Sequence, residues 1–366
     1  MTERSDSPSD SIAALVRAEI RAMQAYQVAP SAGLIKLDAM ESPHRLPCEL
    51  KQSWLARLGE VEVNRYPDST CAALKDALRD AFGIDSAHGV VLGNGSDELI
   101  QMIALLVGGR GRVLLAPTPS FSMYRLIAAA TATEFVAVPL RDDFQLDADA
   151  MRDAVRRHQP ACVFLAYPNN PSGNCFDEAA IESVLREAPG LVVLDEAYFA
   201  FCRRSFLARL KAFPNLLVLR TLSKSGMAAL RLGILIGHRD WTEQLEKLRL
   251  PYNINSLTQC SAVFYLEHRE IIAQHAERIV QQRGEVFAQL SELREVHAYP
   301  SDTNFILLRL RDGDATRVHQ RLQARGVLVK NLHRADTPLS DCLRVTIGDA
   351  DDNRAFIAAL RASLRE

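Results

Sequence analysis

Between residues 90 and 236 the chain repeats one texture seven times: a short, unbroken apolar run, a polar turn, then a helical pattern. The runs fall at 90–92, 113–116, 135–138, 162–166, 191–194, 216–219 and 232–236. An apolar run without alternation belongs to a strand covered on both faces, and strands separated by helical stretches pair in parallel. The pattern predicts an α/β fold built on a mostly parallel seven-stranded sheet. In such sheets ligands bind outside the carboxyl ends of the strands. The residues that follow each run are therefore the ones to read for chemistry.

The rest of the chain frames this sheet. At 366 residues there is room for one large unit and a smaller one. Residues 1–10 are polar and read as a disordered leader. Ile12, Leu15, Val16, Ile20 and Met23 then recur at helical spacing behind Asp10 or Ser11 as a cap. Short helices are predicted near 48–58 and 70–82, with a turn at Asn64-Arg65-Tyr66-Pro67-Asp68 between them. A helical region from about 240 to about 293 is interrupted at Pro251 and Asn253, and strands are predicted at 304–308, 327–330 and 342–347. The expected organisation is an N-terminal arm over 11–60 that also feeds the smaller unit, a large sheet domain over 61–265, and a small α+β domain over 266–366.

Composition narrows the partner. Forty-three basic and forty-five acidic side chains leave a net charge of −2, so no field attracts nucleic acid or an anionic membrane. Cysteines 48, 71, 162, 175, 202, 260 and 342 are odd in number and form no C-x-x-C pair. That spacing fits neither a disulfide framework nor a zinc site, and it suits a reducing cytoplasm. The early helical stretch carries Arg17, Glu19 and Arg21, which is no signal peptide and no membrane span. A small-molecule ligand is the expectation, with no metal.

The strand ends are specific. Gly93-Asn94-Gly95-Ser96-Asp97-Glu98 follows the first run, where a glycine turn into a helix can bare backbone N–H groups to an anion. Plain helix initiation explains the same residues. Phe121 stands after the second run, able to lie on a flat heteroaromatic ring or simply to pack. Tyr167-Pro168-Asn169-Asn170-Pro171-Ser172-Gly173 fixes an amide between two prolines. Asp195 closes a fully apolar run, with Tyr198 three residues on, and Thr221-Leu222-Ser223-Lys224 ends another, with Arg231 beyond. A buried carboxylate, a phenol and a lysine offered from strand ends are what pyridoxal phosphate requires: a partner for the ring nitrogen, one for the ring oxygen, and an amine for the aldehyde. Thr221, Ser223 and Arg231 add two hydroxyls and a guanidinium suited to a phosphate.

Taken together, these segments resemble the class I/II aminotransferases of the fold-type I pyridoxal-phosphate enzymes, and within them the histidinol-phosphate aminotransferase family. The likeness runs over nearly the whole chain, through Asn64-Arg65-Tyr66-Pro67-Asp68, Asp195-Glu196-Ala197-Tyr198, Ser223-Lys224, Pro251-Tyr252-Asn253 and Leu343-Arg344-Val345. One segment departs from it. Asp38-Ala39-Met40-Glu41-Ser42-Pro43 has Met40 and Ser42 where the usual form has asparagines.

The resemblance implies a pyridoxal-phosphate-dependent transferase fold and a role for each matching residue. Lys224 would bond the cofactor and shuttle the proton. Asp195 would pair with the ring nitrogen, Asn170 and Tyr198 with the ring oxygen, and Phe121 would stack on the ring. Ser96, Asp97 through its backbone, Thr221, Ser223 and Arg231 would hold the phosphate. Tyr66 would reach the phosphate of the other subunit, which implies a homodimer with shared sites.

On the substrate side the resemblance implies that Arg344 grips an anionic group, with Lys330 as a second cation and Tyr252, Asn170 and Ser42 lining the remainder. The implied reaction transfers an amino group between histidinol phosphate with 2-oxoglutarate and imidazole acetol phosphate with glutamate, in histidine biosynthesis. Transamination of aromatic amino acids and decarboxylation of threonine phosphate in cobalamin synthesis are the alternatives. A cofactor-binding regulatory protein would need a DNA-binding module, and the leader is too short for one.

Overall fold

The structure is a computed structural model, describing residue 12 and residues 14–25, 27–311 and 313–365. Among the described residues twelve strands build two sheets. In chain order they are β1 (Ile35–Leu37), β2 (His88–Asn94), β3 (Val113–Thr118), β4 (Glu134–Pro139), β5 (Cys162–Ala166), β6 (Leu191–Asp195), β7 (Leu216–Thr221), β8 (Leu232–His238), β9 (Val296–Ala298), β10 (Phe305–Leu310), β11 (Val327–Asn331) and β12 (Cys342–Thr346).

The large sheet has the order β2-β8-β7-β6-β5-β3-β4, and each predicted run lies in one of its strands. Six strands run parallel and β8 alone is reversed, pairing antiparallel with both β2 and β7. Its direction follows from chain length. The segment between β7 and β8 spans residues 222–231 and contains no crossover helix, so the chain turns back beside the strand it has just left.

Both faces of this sheet are buried, as unbroken apolar strands require. Val163, Leu165, Val192, Leu194 and Val218 pack on one side with Leu74, Leu78, Met151, Ile181 and Ala262 from the helices. Their chain neighbours Cys162, Phe164, Leu191, Val193 and Leu217 pack on the other with Leu99, Ile103, Tyr124 and Leu245. A period of two thus sends each strand into two cores.

The small sheet has the order β1-β11-β12-β10-β9. Helices at Arg269–Ser291, Ala315–Ala324 and Ala350–Leu364 complete its core. Strands β1 and β9 have three residues each and show no run of their own, so sequence patterning passes over them. β1 matters for function, because its parallel pairing with β11 ties the segment that ends at Met40 to the small sheet.

The N-terminal segment differs from expectation. The helix predicted over 12–23 breaks at Val16 and Arg17, and the regular piece is Ala18–Arg21. Arg17 has an extended backbone, with ψ at 140°, and donates from Nη2 to the Ala130 carbonyl at 2.6 Å. The proposed caps Asp10 and Ser11 and the leader at 1–10 lie outside the described residues. Among the described residues no helix is long and apolar enough to cross a membrane, and no cluster of His, Cys, Asp or Glu has the makings of a metal site.

Candidate active site

The carboxyl ends of β5, β6 and β7 converge on one cavity with a volume of about 90 Å³, lined by Met40, Ser96, Asp97, Phe121, Ala166, Asn170, Asp195, Ala197, Tyr198, Thr221, Ser223, Lys224 and Arg231. A larger, more open groove lined by Arg141, Gln145, Arg152 and Arg204 lies along the helices at Ala148–His158 and Glu178–Glu187 and contains none of these residues. The convergence of predicted strand-end residues, not size, marks the site.

Asp195 ends β6 and is 4% exposed. The Tyr124 hydroxyl donates to its Oδ2 at 2.8 Å and the Ala197 N–H to its Oδ1 at 3.2 Å. Burial pushes this carboxyl up to about 6, against the pull of the Tyr124 bond. Tyr124 went unread in the sequence although it sits three residues past Phe121. That helical spacing was the available signal, and the two rings meet edge to face at 5.5 Å.

Lys224 stands in the tight turn after β7 with its Nζ 5.9 Å from the centre of the Tyr198 ring. Burial, and next the like charge of Arg344, push its ammonium down to about 8. A substantial neutral fraction is therefore present near physiological pH, as a nucleophilic amine requires. Tyr198 is buried; its oxygen accepts from Asn170 Nδ2 at 3.2 Å, and burial holds the phenol above its ordinary range. Arg344 donates to Asn170 Oδ1 and, at 3.0 Å, to the Asp38 carbonyl, so it stands behind the wall that Asn170 presents.

At the other end the helix Ser96–Val107 begins at Gly95, which carries no capping side chain. Gly95 has φ +87°, and a Cβ there would meet Arg231 Nη2 at 2.5 Å. A Cβ at Gly233 would meet the Gly95 carbonyl carbon at 2.5 Å and the Ser96 nitrogen at 2.6 Å. Only glycine at both positions lets Arg231 close on the uncapped helix start. Arg231 Nη1 donates to Ser223 Oγ at 3.3 Å, and Ser223 shares a 2.9 Å bond with Thr221 Oγ1. Backbone N–H groups, two hydroxyls and a guanidinium thus surround one small volume, an anion site by composition.

The donor set fits pyridoxal phosphate. An anion cradle, an aromatic ring, an amine and a buried carboxylate that, among the described residues, has no cation in hydrogen-bonding contact line the same cavity. The carboxylate is the decisive member, since a buried anion that accepts from a phenol and one N–H is costly without a positive partner.

The remaining predicted residues stand apart. Lys330 lies opposite Arg344 in the β11–β12 register, half-buried, and does not line the cavity. Ser42 accepts from the His44 N–H at 3.3 Å and sits near Gly226, outside the lining. Tyr66 is 81% exposed and stacks on Tyr252 at 4.6 Å, away from this chain's own cavity. Strand-end patterning assigns no role to Glu196 or Arg220, which the fold pairs in a buried salt bridge.

Comparison with known proteins bears on this geometry. The family model for aminotransferases of class I and II matches residues 34–360. The chain belongs to that family. It is accordingly an aminotransferase. It is 48% identical over 353 residues to histidinol-phosphate aminotransferase 2 of Nitrosococcus oceani, covering 96% of this chain and 98% of that one. It is 46% identical over 357 residues to histidinol-phosphate aminotransferase 2 of Cupriavidus pinatubonensis, covering 96% and 97%. The crystal structure of histidinol-phosphate aminotransferase from Sinorhizobium meliloti in complex with pyridoxal 5'-phosphate superposes with a TM-score of 0.84 at 23% identity, covering 96% of this chain and 98% of that one. At that identity the likeness speaks for the fold.

Proposed function

We propose that this aminotransferase exchanges an amino group between histidinol phosphate with 2-oxoglutarate and imidazole acetol phosphate with glutamate, a step of histidine biosynthesis, using pyridoxal phosphate in the cavity around Lys224. The observation that carries the chemistry is the order of groups along one cavity: anion cradle, amine, buried carboxylate. The substrate rests on the near full-length likeness to enzymes of that name.

When bound, pyridoxal phosphate supplies an aldehyde that links to amines and a ring that draws electrons from the adjoining carbon. The chain's own residues supply the rest. Lys224 would hold the aldehyde end of the group through its amine and would move a proton at Nζ. Asp195 presents its carboxylate to the ring nitrogen, kept in place by Tyr124 and the Ala197 N–H. Asn170 and Tyr198 orient the ring oxygen and Phe121 covers a face. Ser96, Asp97, Thr221, Ser223 and Arg231 hold the phosphate. Arg344, braced by Asn170 and Asp38, holds the substrate's anionic group, with Lys330, Ser42 and Tyr252 as more distant contributors.

The division into an arm over 11–60, a cofactor-binding unit over 61–265 and a small domain over 266–366 belongs to this reading, supported by the two separate sheets. So does a homodimer in which Tyr66 completes the partner's site. Its support is the exposure of Tyr66, Val63 and Leu250. Sedimentation of the cofactor-loaded protein as a monomer would contradict it. A cytoplasmic setting suits the seven free cysteines.

Arg344 tests the substrate half. A charge-assisted bond contributes about 1.5–3 kcal/mol, so Arg344→Ala is expected to lower kcat/KM for histidinol phosphate by roughly 10- to 100-fold while the bound cofactor keeps its visible absorption. Steady-state kinetics with an unchanged kcat/KM would remove Arg344 from the substrate site.

A further inference from the structure

Met40 sits in an unfavourable backbone conformation and points into the active-site cavity. Its φ is +56°, the left-handed region that side chains with a Cβ rarely adopt outside Asn and Asp. Two bonds from the small sheet impose it. The Met40 N–H donates to Thr346 Oγ1 at 3.0 Å, and the Met40 carbonyl accepts from Asn304 Nδ2 at 2.9 Å. Both partners are buried. Backbone held against its preference at a functional cavity calls for a reason in the side chain it delivers.

That side chain meets one polar group. The Tyr198 hydroxyl donates to Met40 Sδ at 3.6 Å, while the same oxygen accepts from Asn170 Nδ2 at 3.2 Å. A thioether is a weak acceptor. Among the described residues the phenolic proton therefore rests against sulfur and has no strong acceptor of the protein's own.

We propose that Met40 is a positioning residue for Tyr198, placing sulfur where a polar side chain would capture the phenolic proton and so leaving that proton for the cofactor's ring oxygen. The inference rests on the pyridoxal-phosphate reading. Asparagine makes the contrast sharp, because its amide oxygen stands as many bonds from the backbone as the methionine sulfur and its backbone accepts positive φ. One substitution thus relieves the backbone and introduces the competing acceptor.

The charged and titratable groups around Tyr198 include Asp195, Asp97, Lys224, Arg344 and Tyr124, and they are common to every variant compared. The experiment titrates the visible absorption band of the cofactor-loaded wild type, Met40→Leu and Met40→Asn with pH, and melts the same proteins without cofactor. Donation from Tyr198 favours the form with negative charge on the ring oxygen. Diverting it should move the Met40→Asn midpoint upward by about half a pH unit or more. Met40→Leu, which keeps bulk and offers no acceptor, should titrate with the wild type. Met40→Asn should also melt above the wild type. A Met40→Asn midpoint equal to the wild type's, or a Met40→Leu midpoint displaced as far, would overturn the proposal, and a lower melting temperature for Met40→Asn would contradict the strain behind it. Wild-type protein that forms no visible band with pyridoxal phosphate would instead overturn the cofactor reading.

Discussion

Lys224→Ala is expected to lose transamination by roughly 10⁴-fold or more, because the proton shuttle and the amine that releases product vanish together. Steady-state assay with the cofactor in excess measures it, and activity within tenfold of the wild type would remove Lys224 from the chemistry. The same variant carries a signature in stability. In the cofactor-free protein the Lys224 ammonium titrates near 8 against an ordinary 10.5. Below pH 8 both folded and unfolded chains hold the proton and the folded state bears the full burial penalty. Between 8 and 10.5 the unfolded chain binds more protons, so stability rises with pH across that window. The gap corresponds to roughly 3 kcal/mol. Lys224→Ala should remove this rise, leaving the cofactor-free protein more stable than the wild type at neutral pH and flatter from pH 8 to 10.5. Asp195 works the other way. Its carboxyl, raised to about 6 from 3.8, keeps its proton in the folded state, so stability is lost as pH climbs through that lower window.

Arg220→Met should be the most destabilising single change near the site. Arg220 lies between the Phe199 and Phe82 rings, 3.8 and 4.9 Å from their centres. It donates from Nε and Nη2 to Glu196 Oε2 at 3.0 and 2.9 Å and from Nη2 to Ser205 Oγ at 2.8 Å. The two side chains are 3% and 0% exposed. Removing the arginine strands a buried carboxylate that retains only the Phe206 N–H and the Ser205 hydroxyl, at a cost of about 3–5 kcal/mol. Arg220→Met with Glu196→Met removes both charges and should recover most of that loss. Urea unfolding of the single and double variants decides it. A single variant within about 1 kcal/mol of the wild type, or a double variant weaker than either single, would contradict the pairing. Because Glu196 adjoins Asp195 and Arg220 adjoins Thr221, the pair also fixes the spacing of the two strand ends that bear the chemistry.

The large sheet was legible because its strands are buried on both faces and therefore write unbroken runs. The reversal of β8 was not. It depends on the shortness of the 222–231 connection, and an apolar run carries no direction. Asp195 and Lys224 could be read from their places after such runs. Tyr124 and Arg220 could not be assigned so easily, since a tyrosine in an amphipathic helix and an arginine inside a strand end each have commoner explanations. What places them is register. Asp195 pairs with Leu219, which sets Glu196 beside Arg220. Tyr66 and Tyr252 show the opposite limit, for they stack on the surface of one chain and gain meaning only against a second copy. Met40 stood out in the sequence as a departure, but its consequence lay in a backbone angle and in contacts with Thr346 and Asn304, some 300 and 260 residues away in the chain.

The most direct test of the central claim is the first half-reaction. Protein loaded with pyridoxal phosphate is mixed in turn with histidinol phosphate, phenylalanine and threonine phosphate, and the decay of the visible band is followed in the stopped-flow. Conversion by histidinol phosphate at least about tenfold faster than by the other two is the predicted result. Fast conversion by phenylalanine with none by histidinol phosphate would contradict it.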